Sequence, residues 1–133
     1  MALIMVIEDD AQVRSILSKM LRRKGHEVMT APEGRTALGL FRSREVDLVI
    51  TDLIMPEKEG LETIQDIRHL APDVPIIAIS GGGKYVPTSY LETALHFGAQ
   101  RAFEKPFDHQ DLMEAVGELL PQTTARGTSV PPA

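Results

Sequence analysis

The amino-acid sequence predicts an α/β fold built on a parallel sheet, and three observations carry that expectation. Short apolar runs of strand length alternate five times with stretches whose apolar residues recur at helical spacing. The connections are short, so each strand–helix–strand unit makes a right-handed crossover and the strands run parallel, with helices on both faces. The chemistry-bearing residues close the strands: Glu8, Asp9 and Asp10 after the first, Asp52 after the third, Ser80 after the fourth and Lys105 after the fifth. In open α/β sheets that rim is where ligands bind.

Taken in order, Leu3–Ile7 is a continuous apolar run suited to a strand buried on both faces, and Glu8-Asp9-Asp10 stops it. Val13, Ile16, Leu17, Met20 and Leu21 then repeat at helical spacing among Arg14, Arg22, Arg23 and Lys24, with Gly25 at the C-terminal cap. Glu27–Thr30 is a brief second strand. Pro32 opens a helix carrying Ala37, Leu38 and Phe41. The third strand is Asp47–Thr51, ending at Asp52.

Gly60 begins the next helix, with Leu61, Ile64 and Ile67 on one face, and Pro72 closes it. Pro75–Ile79 is the fourth strand. After Ser80, Gly81-Gly82-Gly83 leads through Lys84 and Pro87 to a helix with Leu91, Ala94, Leu95 and Phe97 on its apolar side, closed by Gly98. Arg101–Glu104 is the fifth strand. The last helix has Asp108 as N-cap and Asp111 in its first turn, with Leu112, Ala115, Val116, Leu119 and Leu120 facing inward, and Pro121 ends it. Residues 122–133 are rich in Thr, Ser, Gly and Pro and read as a disordered tail. This pattern predicts the flavodoxin-like (βα)5 three-layer sandwich with strand order 2-1-3-4-5, in which strands 1 and 3 are neighbours and Glu8 and Asp9 stand beside Asp52.

At 133 residues the chain suits one domain. It has 14 basic and 19 acidic residues, a net charge of −5, which argues against direct nucleic-acid binding by this domain. The apolar run Ala2–Ile7 is too short to span a membrane and no basic segment precedes it, so a cytoplasmic location is expected. With no cysteine, disulfides, thiolate metal sites and thiol catalysis are excluded. His26, His69, His96 and His109 lack metal-ligand spacing and read as surface or loop residues.

Clustered carboxylates at the sheet edge repel one another, and a divalent cation removes the conflict. A small carboxylate site that keeps water and admits a phosphoryl oxygen suits Mg²⁺. An aspartate beside Mg²⁺ and a lysine can attack a phosphoryl group, and Ser80 can donate a hydrogen bond to the same group. A cis Lys105–Pro106 bond would aim the lysine inward. The Gly81–Gly83 run is not a Walker A loop, because Tyr85 follows Lys84 and the spacing before it is wrong.

Ile4–Asp10, Asp47–Pro56, Pro75–Gly81, Gly98-Ala99 and Glu104-Lys105-Pro106-Phe107 resemble the receiver domain of two-component response regulators. The resemblance runs from about residue 3 to 120 and implies a receiver domain over residues 1–121, read as stand-alone. Carried over position by position, it implies Asp52 as phosphoacceptor and Glu8, Asp9 and Asp52 as Mg²⁺ ligands, together with the backbone carbonyl of Ile54. Ser80 takes the hydroxyl position and Lys105 the phosphoryl-contacting lysine. It also implies a phosphorelay role rather than an enzyme turning over substrate. The resemblance further implies that a histidine kinase or histidine phosphotransfer protein supplies the phosphoryl group, that self-catalysed hydrolysis is slow, and that a downstream protein is controlled.

The chain departs from the family pattern at Ala102, where receivers carry Tyr or Phe. With no ring to turn inward there, switching is expected to run through Ser80 and the glycines after it. A haloacid dehalogenase-type phosphatase is disfavoured, because Ile54 stands where such enzymes carry a second aspartate. An N-terminal fragment of a larger response regulator, a docking module independent of phosphorylation, and a homodimer stay open.

Overall fold

The computed structural model describes residues 2–53, 60–80 and 89–120. The elements are β1 (Leu3–Ile7), α1 (Ala11–Arg23), β2 (Glu27–Ala31), α2 (Gly34–Ser43) and β3 (Leu48–Asp52), followed by α3 (Gly60–Leu70), β4 (Ile76–Ser80), α4 (Ser89–Phe97), β5 (Arg101–Glu104) and α5 (His109–Leu119). All strand pairs are parallel and the sheet order is β2-β1-β3-β4-β5, as expected.

Every residue of β1, β3 and β4 is buried, which explains why these strands read as continuous apolar runs. Successive side chains take opposite faces. Leu3, Met5, Ile7, Val49, Ile76 and Ala78 pack with Ala37, Phe41, Ile64, Ile67 and Ala94 from α2, α3 and α4. Ile4, Val6, Leu48, Ile50, Ile77 and Ile79 pack on the other face with Leu17 and Leu21 of α1 and Leu112, Ala115 and Val116 of α5.

Several boundaries move, for identifiable reasons. β3 and β4 each shift by one residue, so Asp52 and Ser80 are the last strand residues rather than the first of a loop. The ladder continues past both: Asp52 pairs with Ile79, the Leu53 N–H donates to the Ile79 carbonyl at 2.9 Å, and the Lys105 N–H donates to the Ser80 carbonyl at 2.8 Å. Asp47 lies before β3, where its carboxylate accepts the Leu3 N–H at 2.8 Å. In α2, Pro32 precedes the helix and Glu33 is the N-cap, its carboxylate accepting the N–H groups of Arg35 and Thr36.

Among the described residues, two apolar residues assigned to inward faces are exposed: Ile16 and Leu95, each at 46%. The buried line of α1 runs along Leu17 and Leu21 and includes Ser18, whose hydroxyl satisfies itself on the Arg14 carbonyl at 2.8 Å. That rotation turns Ile16 outward. On α4 the inward position is Ala94, and Leu95, one step of about 100° round, faces out. Gly25 and Gly98 terminate α1 and α4 with φ of 93° and 125°, as the capping signals require. Asp108 caps α5 by accepting the Asp111 N–H at 3.0 Å.

Among the described residues no helix is long and apolar enough to cross a membrane. Ile54, the glycines 81–83 and the expected tail 122–133 lie outside the described residues.

Candidate functional site

Where β1 leaves the sheet, the three acids divide. Asp10 turns away to cap α1, its Oδ1 accepting the N–H groups of Gln12 at 2.8 Å and Val13 at 3.2 Å. Glu8 stays inside at 1% exposure, and Asp9 is exposed. On the neighbouring strand Asp52 is 4% exposed, and Ser80 at the end of β4 is 2% exposed. Parallel pairing in this register puts these strand ends on one rim.

Lys105 reaches the same place from the end of β5. The Lys105–Pro106 bond is cis. Its Nζ lies 2.9 Å from Glu8 Oε1 and 3.5 Å from Asp52 Oδ2. Carboxylate oxygens of Glu8, Asp9 and Asp52 can all lie within 4.8 Å of one another. The sequence-predicted residues Glu8, Asp9, Asp52 and Lys105 thus meet, with Ser80 on the adjoining strand end.

The electrostatics follow from two buried carboxylates sharing one ammonium. Burial pushes the Glu8 carboxyl up to about 7; the Lys105 hydrogen bond opposes this, while the charge of Asp52 adds to it. Burial also works against the charge of Lys105. The Glu8 hydrogen bond and the two carboxylates outweigh it and hold the ammonium above its ordinary value. The two shifts pull in different senses, one toward a neutral Glu8 and one toward a charged Lys105. Hydrogen bonds and charge from both Glu8 and Asp52 favour the charged lysine, so the ammonium is fixed and the surplus negative charge falls on the acids. Such an under-neutralised set of oxygen donors fits a hard divalent cation.

Three neighbours of the site were not expected from the sequence as neighbours. The Arg14 Nη1 donates to the Glu8 main-chain carbonyl at 2.8 Å. The Thr51 hydroxyl donates to the Asp52 carbonyl at 3.0 Å. Gly60 packs on the main chain of β3's end: a Cβ built on it would meet the Asp52 carbonyl oxygen and lie 2.5 Å from Leu53 Cα, and its N–H donates to the Leu53 carbonyl at 2.9 Å. A helix-start glycine was legible; its close approach was not, because no local pattern encodes a tertiary contact. Of the histidines, His26 lies in the loop between α1 and β2 and is half-buried, with an enclosed Nδ1 lacking a hydrogen-bond partner among the described residues, and burial lowers its basicity.

Residues 4–117 match the family model described as "Response regulator receiver domain". The chain belongs to that family.

Receiver relatives surround it. It is 36% identical over 126 residues to the DNA-binding transcriptional regulator NtrC of Azospirillum brasilense, covering 92% of this chain and 25% of that protein. It is 34% identical over 121 residues to response regulator MprA of Mycolicibacterium vanbaalenii, covering 91% of this chain and 51% of the relative. The chain therefore spans between a quarter and about half the length of these curated relatives. Among solved structures, a response regulator receiver domain protein from Clostridium thermocellum superposes with a TM-score of 0.83 at 27% identity, covering 95% of this chain and 99% of that one. The response regulator TrrA of Thermotoga maritima, solved in complex with Mg²⁺-BeF, gives 0.77 at 33% identity, over 90% and 100% of the two chains.

This receiver domain has its family's sheet, with five parallel strands in the flavodoxin-like order. At position 102 it has a small side chain: Ala102 pairs with Ala78 in the β4–β5 ladder and packs against the core at that point.

Proposed function

We propose that this receiver domain accepts a phosphoryl group on Asp52, from a histidine kinase or histidine phosphotransfer protein, in a Mg²⁺-dependent reaction. The observation that carries the reading is the half-buried ammonium of Lys105 set against the buried carboxylates of Glu8 and Asp52, at 2.9 and 3.5 Å, on the rim where β1, β3 and β5 end. Glu8, Asp9 and Asp52, with the Ile54 carbonyl, would hold the metal ion. When bound, Mg²⁺ neutralises charge on the transferring oxygens.

An Asp52 carboxylate oxygen attacks phosphorus, the bond from phosphorus to the donor's histidine nitrogen breaks, and that nitrogen keeps the electron pair and takes up a proton. Lys105 donates from Nζ to a phosphoryl oxygen, which moves it away from Glu8. Ser80 donates its hydroxyl to another. Attack by water, which would break the bond from phosphorus to the Asp52 oxygen and release inorganic phosphate, is slow, so the phosphorylated chain is a signal rather than one turnover of an enzyme. The signal leaves through Ser80 and the chain after it, because Ala102 has no ring to reorient. Its target is a protein partner or a domain on the same polypeptide. The NtrC relative is a DNA-binding transcriptional regulator, which makes an attached DNA-binding domain one form of that output.

The experiment is intact-mass analysis after treatment with acetyl phosphate and Mg²⁺. The wild type should gain one phosphoryl mass that is lost in alkali, and chelation of Mg²⁺ should prevent the gain. Asp52→Asn should fold and gain none. A labelled Asp52→Asn protein, or a wild type that instead hydrolyses a phosphomonoester repeatedly, would overturn the reading.

A further inference from the structure

We propose that Arg14 is a positioning residue of this site, acting through the Glu8 main-chain carbonyl to set the direction in which the β1–α1 junction aims the Glu8 and Asp9 side chains. The inference rests on the phosphoryl-transfer reading above.

Glu8 is held at four points. Its N–H donates to the Ala31 carbonyl at 3.0 Å, extending the β1–β2 ladder. Its Oε2 accepts the Asp10 N–H at 3.1 Å and its Oε1 accepts from Lys105 at 2.9 Å. The remaining group is its carbonyl, which has left the ladder and is satisfied by Arg14 Nη1 at 2.8 Å. A buried carbonyl needs such a partner. That carbonyl belongs to the peptide unit joining Glu8 to Asp9, so its orientation decides where the Asp9 side chain starts. No hydrogen bond among the described residues holds the exposed Asp9 carboxylate. Its aim therefore comes from the backbone, and the backbone is held by Arg14.

The reach of Arg14 follows from helix geometry. Side chains on a helix slant toward its N-terminus, so a long side chain one turn into α1 covers the junction before it. The helix fixes the base of that lever: the Arg14 N–H donates to the Asp10 carbonyl at 2.9 Å, and the Arg14 carbonyl accepts from Ser18. Arg22, on the same helix, supplies a matched control. It too donates to a main-chain carbonyl, that of Val28 at 3.5 Å, in β2 and away from the acids.

The test compares Arg14→Met, Arg14→Lys and Arg22→Met with the wild type. Mg²⁺ alone is titrated by calorimetry, and amide exchange at residues 8–10 is followed in the metal-free protein. Arg14→Met should bind Mg²⁺ about tenfold or more weakly, in line with the effect of removing groups that orient metal ligands, and should exchange faster at residues 8–10. Arg14→Lys should fall between, and Arg22→Met should match the wild type. Wild-type Mg²⁺ affinity in Arg14→Met overturns the proposal, as does an equal loss in Arg22→Met, which would mean general loosening of α1. If Arg14→Met does not fold, Arg14→Lys decides: weaker Mg²⁺ binding supports the proposal and wild-type binding overturns it. A wild type that takes up neither Mg²⁺ nor a phosphoryl group overturns the phosphoryl-transfer reading and this inference with it. A normal wild type with an indifferent Arg14→Met overturns this inference alone.

Discussion

Adding one methyl group at Gly60 should damage both stability and phosphorylation, whereas the same change at Gly117 should help the fold. At Gly60 the new Cβ would press on the Asp52 carbonyl oxygen and sit 2.5 Å from Leu53 Cα, with the Asp52 carbonyl carbon at 3.0 Å. All three are main-chain atoms, so no side chain can swing aside. Restoring ordinary contact moves α3's first turn or the end of β3 by roughly 1 Å, and overpacking of this kind costs about 1–3 kcal/mol. For a domain of this size that lowers Tm by on the order of 5–15 °C. A displacement of roughly 1 Å at a reacting group can cost up to about a hundredfold in rate, so labelling by acetyl phosphate at saturating Mg²⁺ should slow by about ten- to a hundredfold. Gly117 is exposed in the last turn of α5 with nothing within 4 Å of an added Cβ. There Ala should add roughly 0.5–1 kcal/mol through helix propensity and leave labelling unchanged. Thermal unfolding and timed intact-mass measurements on the two variants check both signs. A Gly60→Ala protein that melts and labels like the wild type would refute the steric argument.

Further expectations concern the acids and the turn after α4. Because burial raises the Glu8 carboxyl to about 7 from an ordinary 4.5, the folded chain binds more protons than the unfolded one in that window, and metal-free stability should fall as pH rises through it. Glu8→Gln should flatten that fall, read by urea denaturation in chelator at pH 5 and pH 8; an unchanged slope would remove Glu8 as its source. Mg²⁺ should raise Tm in the wild type by mass action, and Asp9→Asn should weaken the gain markedly, with an identical Mg²⁺ titration counting against Asp9 as a ligand. Gly98 has φ of 125°, and a Cβ there would lie 2.9 Å from Arg68 Nε, while Arg68 Nη2 donates to the Gly98 carbonyl at 2.8 Å. Gly98→Ala should therefore destabilise by roughly 1–3 kcal/mol, measured by chemical denaturation, and a neutral result would show that the turn relaxes freely.

The sequence by itself determined the order of elements, the parallel sheet and the strand ends at which Glu8, Asp9, Asp52, Ser80 and Lys105 stand. Those features rest on local periodicity, on capping residues such as Asp108 and Gly98, and on the handedness of short crossovers, all of which act within one strand–helix unit. What lay beyond it is tertiary. Whether Asp52 and Ser80 end a strand or begin a loop depends on hydrogen bonds from the next strand, and Ile16 faces out because the packing of Leu17, Ser18 and Leu21 sets the rotation of α1. The split of the acidic triplet was also decided by folding: Asp10 caps α1 while Glu8, two residues earlier, is buried against a lysine 97 positions away. Gly60 and Arg14 show the same limit most directly. Their partners are main-chain carbonyls of Asp52, Leu53 and Glu8, and since every residue carries a carbonyl, side-chain identity leaves no trace of which one a given residue will meet.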